Sequence, residues 1–195
     1  MRSASEPRPI DFTAKAVSAK GQEATSEKVQ VNVQLEVVEK PIVDVKIAVS
    51  NTGSGQVDTN TLTNNFKLVC QEGENVNLSD LVIRYYFTAD GNQDQTVWVD
   101  NASIQMNQAP WYVSYTGKVV GEVVAMDTPT DTADSYIEIA FTTTDQMAVG
   151  AALDIATRTA KADWSNYDQS NDFSYGENSK IAVYYEGNLV AGIQP

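Results

Sequence analysis

The sequence contains no histidine and a single cysteine, and its basic side chains are few: 13 Lys and Arg against 26 Asp and Glu, a formal charge of −13. Without histidine there is no Ser-His-Asp or Cys-His arrangement, no imidazole ligand for zinc, and no side chain whose ordinary pKa suits a general base at neutral pH. Without a second cysteine, Cys70 has no partner for an internal disulfide; it sits in the apolar-rich run Phe66–Cys70 and reads as a core thiol. The acidic balance argues against nucleic acid, whose phosphates would be repelled and whose counterions too few cations could displace. No apolar stretch approaches the ~18 residues that span a bilayer, and the opening Met1–Pro7 lacks the hydrophobic run of a secretory signal.

With 195 residues, 42% of them hydrophobic, the chain can bury one good core. Residues 1–42 hold six basic and six acidic side chains, so the acidic excess lies wholly in residues 43–195. This divides the chain into an N-terminal arm or linker, 1–42, and one domain, 43–195. Within the arm, residues 6–28 are polar and weakly patterned. Val29–Val37 alternates apolar with polar residues and predicts one strand, whose apolar row calls for cover from its own domain or a neighbouring chain.

Period-two alternation recurs through the domain and helical periodicity hardly appears, which predicts an all-β, antiparallel β-sandwich. Strands are predicted at Val43–Val49, Asn64–Cys70, Leu81–Thr88, Thr96–Asp100, Lys118–Met126, Tyr136–Thr142, Ala151–Thr159, Ile181–Glu186 and Leu189–Ile193. Two long loops, Asn101–Thr116 and Lys161–Ser179, are aromatic; loops of this kind on a rigid sandwich are where function concentrates.

Three constellations stand out. Thr88-Ala89-Asp90-Gly91-Asn92 and Asp168-Gln169-Ser170-Asn171-Asp172 concentrate hard oxygen donors, which suits Ca²⁺ but also suits solvated turns. Trp111, Tyr112 and Trp164 fall in the loops, where they either close the ends of the core or stack on sugar rings. Among the 20 acids of the domain some pair must fall at glycosidase spacing, yet nothing marks one pair out.

Three separated blocks, Leu78–Gly91 with Gln95–Asp100, Ala133–Phe141, and Arg158–Asp172, resemble a family 3 carbohydrate-binding module, a type found in bacterial cellulases, cellulosomal scaffoldins and biomass-sensing anti-sigma factors. The resemblance runs from about Val43 to Pro195. It implies a jelly-roll-like sandwich of about nine strands and a structural calcium held by Thr88, Asp90, Asp168, Asn171 and Asp172. It further implies a flat cellulose-binding strip at Asp100, Asn101, Tyr112, Arg158 and Trp164, with Asn101 standing where the family carries a histidine. Counting from opposite ends of the intervening loop puts either Trp111 or Tyr112 at the tyrosine position. Physically, Trp164 and a loop ring can stack on sugars while an Arg158–Asp100 pair adds a planar unit. Two departures bear on anchoring of a second chain: a family glutamine is Ala156, and the segment between Ser179 and Ile181 is short.

The implied activity is non-catalytic binding of cellulose or a related β-glucan for a larger extracellular protein. The competing readings are an accessory module without crystalline-cellulose binding, and protein adhesion through the edge of the 29–37 strand.

Overall fold

The computed structural model describes residues 8–33, 44–53, 55–106 and 108–195. The chain divides into two compact units, Met1–Lys40 and Pro41–Pro195.

In the first unit, β1 (Arg8–Phe12), β2 (Lys15–Val17), β3 (Glu23–Thr25) and β4 (Val29–Val33) form a β-ribbon, with β1 paired to β4 and β2 to β3, both antiparallel. The segment read as linker is therefore three strands, and the predicted strand at Val29 is described as far as Val33; its last four residues lie outside the described residues. Periodicity missed β1, β2 and β3 because polar pairs hold the ribbon. Lys15 meets Glu23 at 2.7 Å and Lys28 meets Asp11 at 2.8 Å, and the Ser18–Gly21 turn closes it with Gly21 at φ +78°. Phe12, Val29 and Val31 are exposed.

The second unit opens with β5 (Val45–Asn51), β6 (Asp58–Thr59), β7 (Leu62–Gly73), β8 (Val76–Asn77) and β9 (Leu81–Phe87). It continues with β10 (Gln95–Gln105), β11 (Tyr112–Ser114), β12 (Val119–Thr130), β13 (Ala133–Phe141) and β14 (Gln146–Met147). The last strands are β15 (Ala152–Lys161), β16 (Tyr167–Asp168), β17 (Ala182–Tyr185) and β18 (Asn188–Ala191). Two antiparallel five-stranded sheets result, in the orders β11-β10-β15-β7-β5 and β12-β13-β9-β17-β18. This is the predicted all-β sandwich, with short two-residue ribbons β14-β8 and β16-β6 at its margins.

Alternation decides which side chains meet between the sheets. Phe66, Leu68, Ile104, Leu153 and Ile155 point inward from the first sheet, and Ile83, Phe87, Ile137, Ile139 and Val183 from the second; all belong to one continuous buried cluster. Cys70 lies in it, and burial pushes its thiol pKa up, as a core thiol requires. On the outer face of the second sheet, Arg84 pairs with Glu138 at 2.8 Å and lies 4.5 Å and 4.9 Å from the ring centres of Tyr136 and Tyr184.

Strand β10 runs five residues past its predicted end. Trp98 faces Arg158 and Val99 faces Thr157, but Asn101 faces Ala156, so Asp100 is the extra residue of a β-bulge. The bulge shifts the phase of the alternation, which is why the pattern in the sequence breaks there.

Phe66 is 1% exposed beneath the β7–β15 pair. Replacing it with Ala is expected to destabilise the second unit by about 3–5 kcal/mol, read as a lower denaturation midpoint with an unchanged slope.

Candidate functional site

The outer face of the first sheet is built around the β10–β15 ladder. Residues directly opposite in an antiparallel pair share a face, so Trp98, Asn101, Ser103 and Gln105 of β10 lie beside Arg158, Ala156, Asp154 and Ala152 of β15. Arg158 donates through Nε to Asp100 Oδ2 at 2.6 Å and through Nη2 to Asp100 Oδ1 at 2.8 Å, a planar bidentate pair that ties down the bulge. Hydrogen bonding from Arg158 holds the Asp100 carboxyl below its ordinary pKa and Asp100 raises that of Arg158, so both stay charged.

Trp98 lies beside this pair. The Arg158 guanidinium carbon lies 5.7 Å from the Trp98 ring centre, and the Trp164 ring is nearly parallel to Trp98, at 10° with centroids 6.4 Å apart. Trp164, Trp98, Arg158 and Asp100 thus form one exposed row of indoles and a planar ion pair. Trp98 is not among the residues singled out in the sequence, because it sits on a strand rather than in an aromatic loop. The available signal was the outward row Thr96, Trp98, Asp100 alternating with Val97 and Val99.

Trp164 is held by its own turn. It adopts φ +58°, the left-handed region that costs a non-glycine residue on the order of 1–2 kcal/mol. Its N–H donates to Lys161 O at 3.0 Å, and Asp163 Oδ1 accepts from Ser165 N at 3.0 Å and from Ser165 Oγ at 2.8 Å. Those bonds hold the Asp163 carboxyl below its ordinary pKa.

At the other end of the sheet, Tyr112 faces Gln105 across the short β11 pairing and is exposed. That pairing sets Tyr112 on the same face as Trp98 and Arg158. Trp111 precedes the strand at φ +60° and is also exposed, its N–H donating to Gln108 O. From Trp98 to Gln105 the face spans about 20 Å at strand rise. Beside it, the small side chain of Ala156 leaves a 300 Å³ hollow that Asn101, Asn65, Lys67, Ser50 and Asp154 also line.

The oxygen cluster is assembled from the end of β9 and the loop after β16. Thr88 Oγ1 lies 2.7 Å from Asn171 Oδ1, 2.9 Å from Asp172 Oδ1 and 3.3 Å from Asp90 Oδ1. A hydroxyl has one proton to offer these three acceptors. Thr88 N also donates to Asp172 Oδ1, at 2.7 Å, while Asp172 Oδ2 is buried with no partner among the described residues. Burial, with Asp90 and Asp168 nearby, pushes the Asp172 carboxyl up to about 7 against the lowering effect of the Thr88 bonds. Crowded acceptors and an orphaned carboxylate oxygen fit a hard cation. Asp168 joins differently: its N–H donates to Asp90 Oδ2 at 2.7 Å, while its carboxylate accepts from Ser170 N and Oγ, which lowers its pKa. Among the described residues no three His, Cys, Asp or Glu side chains gather as a metal cluster, so the neutral oxygens of Thr88 and Asn171 are needed to complete a set.

A second brace, missed in the sequence, is Lys161. It is 2% exposed, and its Nζ donates to Asp90 O at 2.9 Å and to Asn166 O at 2.8 Å, lying 4.5 Å from the Tyr167 ring centre. Tyr167, also buried, donates to Gln95 Oε1 at 2.9 Å and packs edge-on against Phe87.

The family model for the cellulose binding domain, CBM_3, matches residues 44–192. The chain belongs to this family. Its relatives include cellulosomal-scaffolding protein B of Acetivibrio thermocellus, 40% identical over 143 residues, and exoglucanase-2 of Thermoclostridium stercorarium, 35% identical over 159 residues. The match covers 70% of this chain and 18% of the first protein, and 77% and 16% for the second, so the chain spans less than a fifth of either relative. Anti-sigma-I factor RsgI2 of Acetivibrio thermocellus is 30% identical over 159 residues, 71% of this chain and 22% of that protein. Among solved structures, a family IIIa cellulose-binding domain from Clostridium cellulolyticum superposes with a TM-score of 0.73 at 32% identity, covering 79% of this chain and all of that one. The CBM_3 unit of this chain is a binding-module fold, and no helix among its described residues is long and apolar enough to cross a membrane.

Without a bound cation, the folded chain keeps a proton on Asp172 up to about pH 7, whereas an unfolded Asp loses it near pH 4. Between those values the folded state binds the extra proton, so stability falls as pH rises. Chelator-treated protein is expected to melt at a lower temperature at pH 8 than at pH 5, and Asp172→Asn to flatten that slope; an unchanged slope in the variant would show that another group sets it.

Proposed function

We propose that this chain binds the flat face of cellulose or a related β-glucan, without catalysis, and thereby anchors or senses polysaccharide for a larger extracellular protein. The observation that carries this is the continuous row Trp164, Trp98, Arg158 and Asp100 on an exposed, rigid sheet face. Sugar rings offer apolar C–H faces to the indoles and hydroxyls at their rims to Asp100, Arg158 and Asn101. The paired charges remain satisfied under a neutral polymer, so little charge desolvation opposes binding. Tyr112 adds a ring at the far end of the same face, so one glucan chain can lie along the ladder; Trp111 adds a second surface beside it.

The names of the relatives supply the setting: scaffolding proteins, an exoglucanase and an anti-sigma factor, each far longer than the matched segment. An accessory module without polysaccharide binding would have no use for two stacked exposed indoles, and the row counts against it. The oxygen cluster supports a structural Ca²⁺ held by Thr88, Asp90, Asn171 and Asp172, with Asp168 at its edge. Such an ion would neutralise Asp172 and clamp the end of β9 to the loop after β16.

The test is depletion from solution by microcrystalline cellulose at fixed calcium. Wild type is expected to be depleted, with Trp98→Ala and Trp164→Ala each weakening retention by about 5- to 150-fold, given roughly 1–3 kcal/mol for an aromatic stack. Folded wild type that stays in solution would overturn the reading. Adding Ca²⁺ to chelated protein at pH 8 is expected to raise its melting temperature, and Asp172→Asn to abolish most of that gain.

A further inference from the structure

A half-open cavity of 220 Å³ lies between the end of β5, the start of β7, Tyr85 of β9 and the Ser174–Asn178 segment, and Thr63 in its wall faces Arg158 across the β7–β15 pairing. None of Trp98, Asp100, Tyr112, Arg158 or Trp164 lines it. Polar and apolar surface contribute about equally to its wall, and the polar residues that line it include Asn51, Asn64, Gln169, Tyr85, Tyr175 and Glu177.

Asn64 is the informative residue. It is 2% exposed, and its Oδ1 accepts from Asn51 Nδ2 at 2.6 Å, yet its Nδ2 is buried with no partner among the described residues. A buried amide donor is normally satisfied, and this one lines an open space. Burial also pushes the Tyr85 phenol pKa well up, so it remains a donor at any physiological pH.

The lining selects a class of ligand. Among the described residues no Lys or Arg lines the cavity, which disfavours an anion, and one carboxylate is too few for a divalent cation. An apolar guest would leave the Asn64 donor unpaired. A neutral ring bearing several hydroxyls, each both donor and acceptor, matches amides and phenols that present both kinds of group, and Tyr175 can cover its C–H face. The volume suits a single sugar ring rather than a longer segment.

We propose that this cavity is a second carbohydrate subsite that takes one terminal sugar ring, recognising a chain end where the outer sheet face recognises a chain's length. That the sugar is glucose rests on the function proposed above; the subsite itself does not.

The test is an NMR titration of isotope-labelled protein with cellobiose, following side-chain amides as well as the backbone. Saturable shifts are expected at the Asn64 side-chain amide and around Asn51 and Tyr175. They should persist in the Trp98→Ala/Trp164→Ala double variant and weaken by about tenfold in Asn64→Leu. Tyr175→Ala, on the cavity rim, gives the same readout should Asn64→Leu fail to fold. Cellobiose that shifts only the outer-face signals, or shifts at the cavity unchanged in a folded Asn64→Leu or Tyr175→Ala, would mean that the cavity holds water alone and the proposal fails. Cavity shifts in a protein that cellulose does not deplete would instead overturn the flat-face reading and leave the subsite standing.

Discussion

The flat face depends on the antiparallel ladder between β10 and β15. Its register puts Trp98 across from Arg158, and its bulge delivers Asp100 to the same guanidinium without breaking the pairing that resumes at Asn101 and Ala156. Beneath it, Ile104, Leu153 and Ile155 are locked into the core, so the outer groups ride on a surface that cannot readily flex. Recognition of a flat polymer asks for this preorganisation, because ordering loose aromatic side chains at the moment of binding would consume much of the stacking energy.

The same ladder ends at Lys161, and there it meets the loop that carries Trp164. The buried ammonium of Lys161, the Tyr167 ring and the Asp163 turn place Trp164 with groups supplied entirely by the chain. The oxygen cluster begins farther along, at Asp168. A cation there would therefore act on the junction with β9, while the indole keeps its local support; the two sets of contacts meet at Asp90, whose carbonyl accepts from Lys161 Nζ.

How much of this was legible in the sequence varied with the kind of signal. The sandwich followed from alternation, since Val97 and Val99, or Ile137 and Ile139, announce their buried face two residues at a time. The Arg158–Asp100 pair and the meeting of the Thr88 turn with the Asp168 loop came through the family resemblance, since no spacing rule joins residues 58 or 84 positions apart. Trp98 was hidden by its regularity, as it sits where a strand residue belongs. The first three strands of the ribbon, within 8–25, were hidden by their polarity, because ion pairs and ladder hydrogen bonds leave no apolar rhythm. The Asn64 cavity has no sequence signature, for it arises where loop, strand end and turn from distant parts of the chain fail to fill space.

The absence of histidine carries a consequence for the way the module would let go. The charged members of the outer face are Asp100, held below its ordinary pKa, and Arg158, held above its own. Neither changes charge between about pH 5 and pH 9. Attachment built on them is therefore indifferent to acidification of the surroundings. Release would have to come from outside the contact: digestion of the polymer or mechanical drag.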